Sequence, residues 1–228
     1  MRWTCVGLFL LALLGATPAQ LDSEVVLERY ALAIGRLRAP KAVVYSYTVS
    51  QVGADNIEQS HRIYRSGMAV RDETISIDGI ALRRKVVRFS NHADRYAVTR
   101  FAPQPESYQL LFLGTVKDGR HWDYVYEATP LVHTAPSWVD RLTIDGVRFL
   151  PRAVHFRSSG LQAEGSGSIQ FAPFGRYWMP VAAIAQARVK AKPAREVIVW
   201  SDYRFPAALP ASTFAAPQRL SPTTPPSM

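Results

Sequence analysis

The chain has 228 residues, 48% hydrophobic and 11% aromatic, with 27 basic against 18 acidic residues and a net charge of +9. That composition excludes a disordered chain and allows one sizeable core, so a single domain is expected. One cysteine, Cys5, excludes a disulfide framework, and five histidines without HExxH or similarly close spacing present no metal centre.

Arg2, the apolar run Val6 to Leu14 and the small residues Gly15, Ala16 and Ala19 have the layout of a secretory leader, with cleavage expected after Ala19. The run falls short of the roughly 20 residues of a membrane span, so a cleaved leader is preferred to a retained anchor. Residues 1–19 carry Arg2 as their one charged side chain and Cys5 as the one cysteine, so the exported part has a net charge of +8 and no thiol. Behind a leader, a basic surface points towards anionic lipid head groups and envelope polymers and away from nucleic acid. The expected location is the periplasm or cell envelope.

Asp22 or Ser23 caps a predicted helix with an apolar stripe of Val25, Val26, Tyr30, Ala33, Ile34 and Leu37, ended by Pro40. From Lys41 the period changes to two: Val43, Tyr45, Tyr47 and Val49 share one strand face. Further strands are expected over Ile57–Arg65, Met68–Ile77, Ala81–Phe89 and Arg95–Phe101, with short turns that make neighbours antiparallel. After Pro103 and Pro105, the segment Glu106 to Gly114 reads as a short apolar helix or loop. Its Leu110, Leu111, Phe112 and Leu113 are expected either in the core or over a cavity mouth, because an exposed patch of this kind invites association.

The second half repeats the strand pattern over Trp122–Glu127, Val139–Ile144, Val147–Phe156, Leu161–Phe171, Tyr177–Ala191 and Arg195–Tyr203, with Asp145-Gly146 as a hairpin turn. Gly165, Gly167 and Phe171 alternate with polar residues, and Ala183, Ala185 and Ala187 give the following strand a face of small side chains. Such a row leaves room for a packed helix or for an acyl chain. Pro206, Pro210 and Pro217 take the chain out of the sheet, so Phe205, Leu209 and Phe214 are expected to pack as a latch, followed by a disordered tail over 217–228.

Catalytic patterns are lacking. No serine sits in G-x-S-x-G, and Gly165-Ser166-Gly167-Ser168 lacks the lysine of a phosphate loop. Asp72 and Glu73, adjacent on a strand, point to opposite faces. His121 and Asp123, like His92 and Asp94, place an acid two residues from a base on one strand face, and a hydrolase would be built on the first pair. Aromatic residues at spacing two, including Tyr45, Tyr47, Trp122, Tyr124 and Tyr126, are the stronger signal, for a core or for the wall of an apolar cavity.

Three stretches carry a family resemblance. Leu142-Thr143-Ile144-Asp145 followed by Phe149-Leu150-Pro151, then Tyr177-Trp178-Met179-Pro180, then Ser201-Asp202-Tyr203-Arg204-Phe205 with Leu209 to Phe214, occur in the order of the LolA-like superfamily of periplasmic lipoprotein carriers and outer-membrane lipoprotein-sorting proteins, which the chain resembles over nearly all of residues 20–216. The resemblance implies a mainly β fold: an unclosed antiparallel half-barrel with an N-terminal helix and a short helical lid over an apolar cavity. It further implies a non-enzymatic carrier or sorting module, without cofactor or metal, that binds a lipid or acylated lipoprotein as a monomer. An envelope sensor or scaffold that binds a partner protein through the same sheet is the alternative. Cavity candidates are Tyr45, Tyr47, Leu111, Phe112, Trp122, Tyr124, Gly165, Gly167, Ala183 and Ala185. The chain departs from the family in a short, proline-rich crossover, and Arg84, Arg88 and Arg100 all compete for the place of a cargo-holding arginine.

Overall fold

The computed structural model describes residues 20–53, 56–91, 97–119, 121–132, 136–159, 163–189 and 192–215. The leader and the segment after 215 lie outside them, as do His92 and His133. Helix α1 (Ser23–Arg36) is followed by β1 (Ala42–Val52), β2 (Ile57–Ser66), β3 (Ala69–Ile77) and β4 (Ile80–Asn91). A short helix α2 (Ala97–Phe101) leads to β5 (Tyr108–Asp118), β6 (His121–Pro130), β7 (Ser137–Ile144), β8 (Pro151–Ser159), β9 (Ala163–Phe174), β10 (Tyr177–Val189) and β11 (Lys192–Arg204).

All eleven strands form one sheet in the order β4-β3-β2-β1-β11-β10-β9-β8-β7-β6-β5, with antiparallel neighbours throughout. Two meanders, β1–β4 and β5–β11, are joined side by side where β1 pairs with β11. The crossover from β4 to β5 runs from one edge of the sheet to the other and carries α2. Among the described residues the edges do not pair, so the sheet is the unclosed half-barrel with an N-terminal helix that the sequence motifs imply.

Two segments differ from their sequence reading. Ala97–Phe101, expected as strand, is helical, because Val98 and Ala102 lie one turn apart and both bury, with the Ala102 N–H donating to the Val98 carbonyl at 2.8 Å. Glu106–Gly114, expected as a helical lid or loop, lies largely in edge strand β5: Leu110 packs on the core, and Leu111 and Leu113 stand 60% and 50% exposed. The short helical element over the sheet is therefore α2. The Asp145 turn is also longer than a two-residue hairpin. Asp145 Oδ1 accepts from the Val147 and Arg148 N–H groups, and Pro151 opens β8.

Helix α1 begins as its sequence requires, with the Asp22 carboxylate accepting the Glu24 N–H at 2.8 Å, Glu24 in the first turn and Arg36 in the last. Its buried face is Val26, Tyr30 and Ile34 at i, i+4, i+8. Val25, expected in the stripe, is 37% exposed, since it lies about 100° round the helix from Val26. With Val98 of α2, this face packs on Tyr124, Tyr126, Leu142, Ile144, Val154, Ile169, Phe171 and Trp178, so the core sits under the β5–β10 part of the sheet. Burial of each large apolar side chain there contributes about 1.5–3 kcal/mol.

Tyrosine hydroxyls fix the helix in place. Tyr30 OH donates to the Pro103 carbonyl at 2.8 Å, Tyr126 OH donates to the Ser23 carbonyl at 2.9 Å, and Tyr124 OH accepts the Leu21 N–H at 2.8 Å. Burial pushes the Tyr30 phenol well above its ordinary range, which keeps it a donor at every physiological pH. Tyr30→Phe removes the donor and leaves the Pro103 carbonyl unsatisfied in the core. It is expected to cost about 1–3 kcal/mol, seen as a lower urea midpoint with an unchanged m-value.

Candidate functional site

On the helix-bearing side, a cavity of about 320 Å³ opens between six parts of the chain. The α1–β1 connection supplies Ala39, Pro40 and Lys41, α2 supplies Arg100 and Phe101, and the start of β10 supplies Met179 and Pro180. Val43, Tyr45, Trp200 and Tyr203 of β1 and β11 complete the wall, with Arg65 and Gly67 at the end of β2. The lining is aromatic and aliphatic, and its charged members, Lys41, Arg65 and Arg100, are all cations.

Local irregularities aim the aromatic side chains. A bulge in β11 sets Asp202 and Tyr203 opposite Tyr45 alone, between the pairs Val44↔Arg204 and Ser46↔Ser201, and the φ of 56° at Asp202 is left-handed. A second irregularity separates Pro180 from Ala182 in β10. Between them Tyr203 sits 5.3 Å from the Tyr45 ring and 4.6 Å from Phe174, and its hydroxyl donates to the Pro180 carbonyl at 2.8 Å. Phe205 packs against Tyr177 with ring centroids 4.4 Å apart and the planes tilted by 36°, which begins the expected latch. Its end, the 3-10 turn Ala211–Phe214, is held to β3 by Arg71, which donates to the Thr213 carbonyl at 3.0 Å.

The sequence candidates are spread over the sheet, and one of them, Tyr45, lines this cavity. Tyr47 lies further along β1 opposite Trp200. Trp122, Tyr124 and Phe112 belong to the region around α1, with Phe112 5.5 Å from Tyr126 and Trp122 half-buried against the core. Leu111 is paired opposite Glu127 and exposed. Gly165 and Gly167 line a separate groove of about 490 Å³ whose other walls are mostly polar, with Asp140, Arg141, His155, Arg157, Glu164 and Gln186 beside Phe156 and Ile184. Ala185 is paired opposite Gly167, and Ala183 packs against the core. Gly167 leaves no free space of its own, because a Cβ there would stand 2.5 Å from the Ile184 carbonyl oxygen and 2.5 Å from the Phe156 ring.

A polar cluster in β1–β3 escaped the sequence reading. His61, buried on β2, stacks on Tyr47 at 4.6 Å with 5° between the planes. Its Nδ1 lies 2.9 Å from Asp72 Oδ1, and Tyr47 OH donates to Asp72 Oδ2 at 3.4 Å. Burial, then the Asp72 charge, lifts the Tyr47 phenol above its ordinary range. A hairpin centred on residue 54 places 47 opposite 61, so counting from Gly53 and Asn56 was the available signal. Asp72 and Glu73 fall on opposite faces, as alternation requires. Glu73 is 2% exposed and pairs with Arg71 and Lys85.

His121 and Asp123 do not form a dyad: among the described residues no hydrogen bond joins them, and Asp123 faces Arg152 at 4.0 Å. Arg100 is at the cavity, whereas Arg84 and Arg88 lie on edge strand β4.

No family model and no curated protein sequence matches the chain. Solved structures do. The chain is similar to a LolA superfamily protein from Nitrosomonas europaea, at 14% identity and a TM-score of 0.45, over 86% of this chain and 99% of that one. It is similar to a putative outer membrane lipoprotein-sorting protein domain from Vibrio parahaemolyticus, at 14% identity and a TM-score of 0.45, over 85% and 97%. A DUF1329 family protein from Desulfovibrio piger gives 10% identity and a TM-score of 0.46, over 84% and 96%.

Two expected outcomes test this geometry. Gly167→Val forces the Ile184 backbone or the Phe156 ring to move, and a loss on the order of 1–3 kcal/mol is expected in chemical denaturation. Asp123 is only 6% exposed, and burial followed by the Asp145 charge raises its pKa above the ordinary 3.8 despite Arg152. A raised folded pKa stabilises below the unfolded value, and that contribution is lost as pH rises through the folded value. Ionised Asp123 is therefore a cost at neutral pH. Asp123→Asn is expected to match the parent protein below about pH 4 and to exceed it in stability at pH 7, read from urea midpoints at both.

Proposed function

We propose that this chain is a non-enzymatic module of the cell envelope that holds an acyl chain of a lipid or lipidated protein in the cavity beside α2. The observation that carries the reading is the lining: Val43, Tyr45, Phe101, Met179, Trp200 and Tyr203 form an apolar wall, and the charged groups beside it are the cations Lys41, Arg65 and Arg100. An amphiphile with an apolar tail and an anionic or carbonyl-bearing head satisfies both features. The volume of about 320 Å³ lies at the lower end of ligand clefts, about 300–1,000 Å³, which suits part of a tail better than a whole lipid. Arg100 is the arginine best placed to hold the head, since it lines the cavity and also lies over the Phe101 ring at 5.3 Å.

Edge strand β4 adds a route to the cargo. Arg83, Arg84, Lys85 and Arg88 lie along it with exposed Ile80, Val86 and Phe89, a combination that favours an anionic lipid surface.

Native mass spectrometry of the protein purified from its own envelope is expected to show bound lipid. Ala39→Trp, placed at the exposed end of the cavity wall, is expected to cut lipid occupancy severalfold with unchanged far-UV circular dichroism, and Arg100→Glu to release lipid more readily. An empty parent protein under gentle purification contradicts the reading, and a co-purified protein with no lipid moves it to a partner-binding scaffold.

A further inference from the structure

The two edges of the sheet differ in chemistry. β4 is guarded: it carries four cations, and Leu82 to Lys85 bulge out opposite Ile75 alone, because Thr74 pairs with Val86 and Ser76 with Ala81. β5 lacks that run of cations, and its bulge is a single residue. Tyr108 to Val116 contains no charged residue, Leu111, Leu113 and Val116 are 60%, 50% and 56% exposed, and Leu113 falls between Phe112↔Tyr126 and Gly114↔Val125 without a partner on β6. Among the described residues nothing pairs with the outer edge of this strand, so its backbone N–H and C=O groups form a template for another strand.

We propose that β5 pairs antiparallel with β5 of a second copy of this chain, forming a two-fold dimer with one continuous sheet. Charge placement selects this occupant. Glu106 lies two residues before the first residue of the strand and Lys117 near its end, both exposed, so antiparallel self-pairing brings the Glu106 of each copy towards the Lys117 of the other. Asp118, the like charge at that end, is already neutralised by Arg152. Pairing with a β4 edge would instead set Lys117 against that strand's cations. The self-contact is isologous and uses the one unguarded edge of each chain, so it closes at two copies and does not propagate into fibres.

Sedimentation velocity of the purified protein across a wide concentration range tests this. A reversible dimer is expected, with β5 amides protected from hydrogen exchange in the dimer and exchanging quickly on dilution. Leu111→Lys with Leu113→Lys is expected to abolish the dimer while circular dichroism stays unchanged. Glu106→Lys is expected to weaken it severalfold, and the double reversal Glu106→Lys with Lys117→Glu to restore it. A monomer at every concentration overturns the proposal, as does a monomer with slowly exchanging β5 amides, which would mean that another segment of the same chain covers the edge. A dimer indifferent to these substitutions also overturns it.

Discussion

The ladder between β1 and β11 is the contact on which the molecule depends. It joins the first strand to the last, and without it the four-stranded and seven-stranded meanders would be separate sheets. Its partners are far apart in sequence: Gln51 donates to Glu196 across 145 residues at 2.7 Å. Loop closure of that length brings no reward until both meanders exist, so the ladder belongs to the late, slow part of folding. The ladder also builds the cavity, because the β11 bulge at left-handed Asp202, opposite Tyr45, turns Tyr203 towards Tyr45 and the Pro180 carbonyl. A regular ladder would keep strict alternation there and aim these rings differently.

The halves on either side of that ladder are stabilised by different physics. Under β5–β10 the core is apolar, with α1 and α2 packed on it and tyrosine hydroxyls satisfying buried backbone groups. The β1–β4 half has fewer buried apolar residues and relies on hydrogen-bonded polar groups: His61 between Tyr47 and Asp72 on one face, Glu73 between Arg71 and Lys85 on the other. Buried charges of this kind contribute more to a unique register than to net stability, because desolvation offsets most of their attraction. Arg71 links that network to the latch at Thr213, so the tail closes over the half that most lacks apolar cover.

Most strands were legible because a period of two survives in their side chains, as did the capped amphipathic helix and the proline-driven exit of the tail. β5 was not, since Leu110 to Leu113 are apolar on both faces and alternation is the only local mark of a strand. α2 was misread for a related reason: five residues hold too little pattern to separate one helical turn from a short strand. Of the cavity wall, Tyr45 could be named from the sequence. Met179, Trp200 and Tyr203 could not be brought to it by counting, because bulges on β10 and β11 shift the faces that a strict period of two assigns.

The opening of the barrel has a physical cause of its own. To close, β4 would have to pair with β5, yet the Leu82–Lys85 bulge interrupts the ladder just where a partner strand would need it continuous. The interior opposes closure as well. α1 and α2 already occupy the face that closure would fold inwards, and Tyr30 ties the crossover to α1 through the Pro103 carbonyl. A closed barrel of eleven strands would have to fill that interior with strand side chains alone, and here the small residues Ala183, Ala185 and Gly167 line part of the same surface. The open edge is thus the counterpart of the helices: the sheet curves far enough to wrap them, and their bulk keeps its two ends apart.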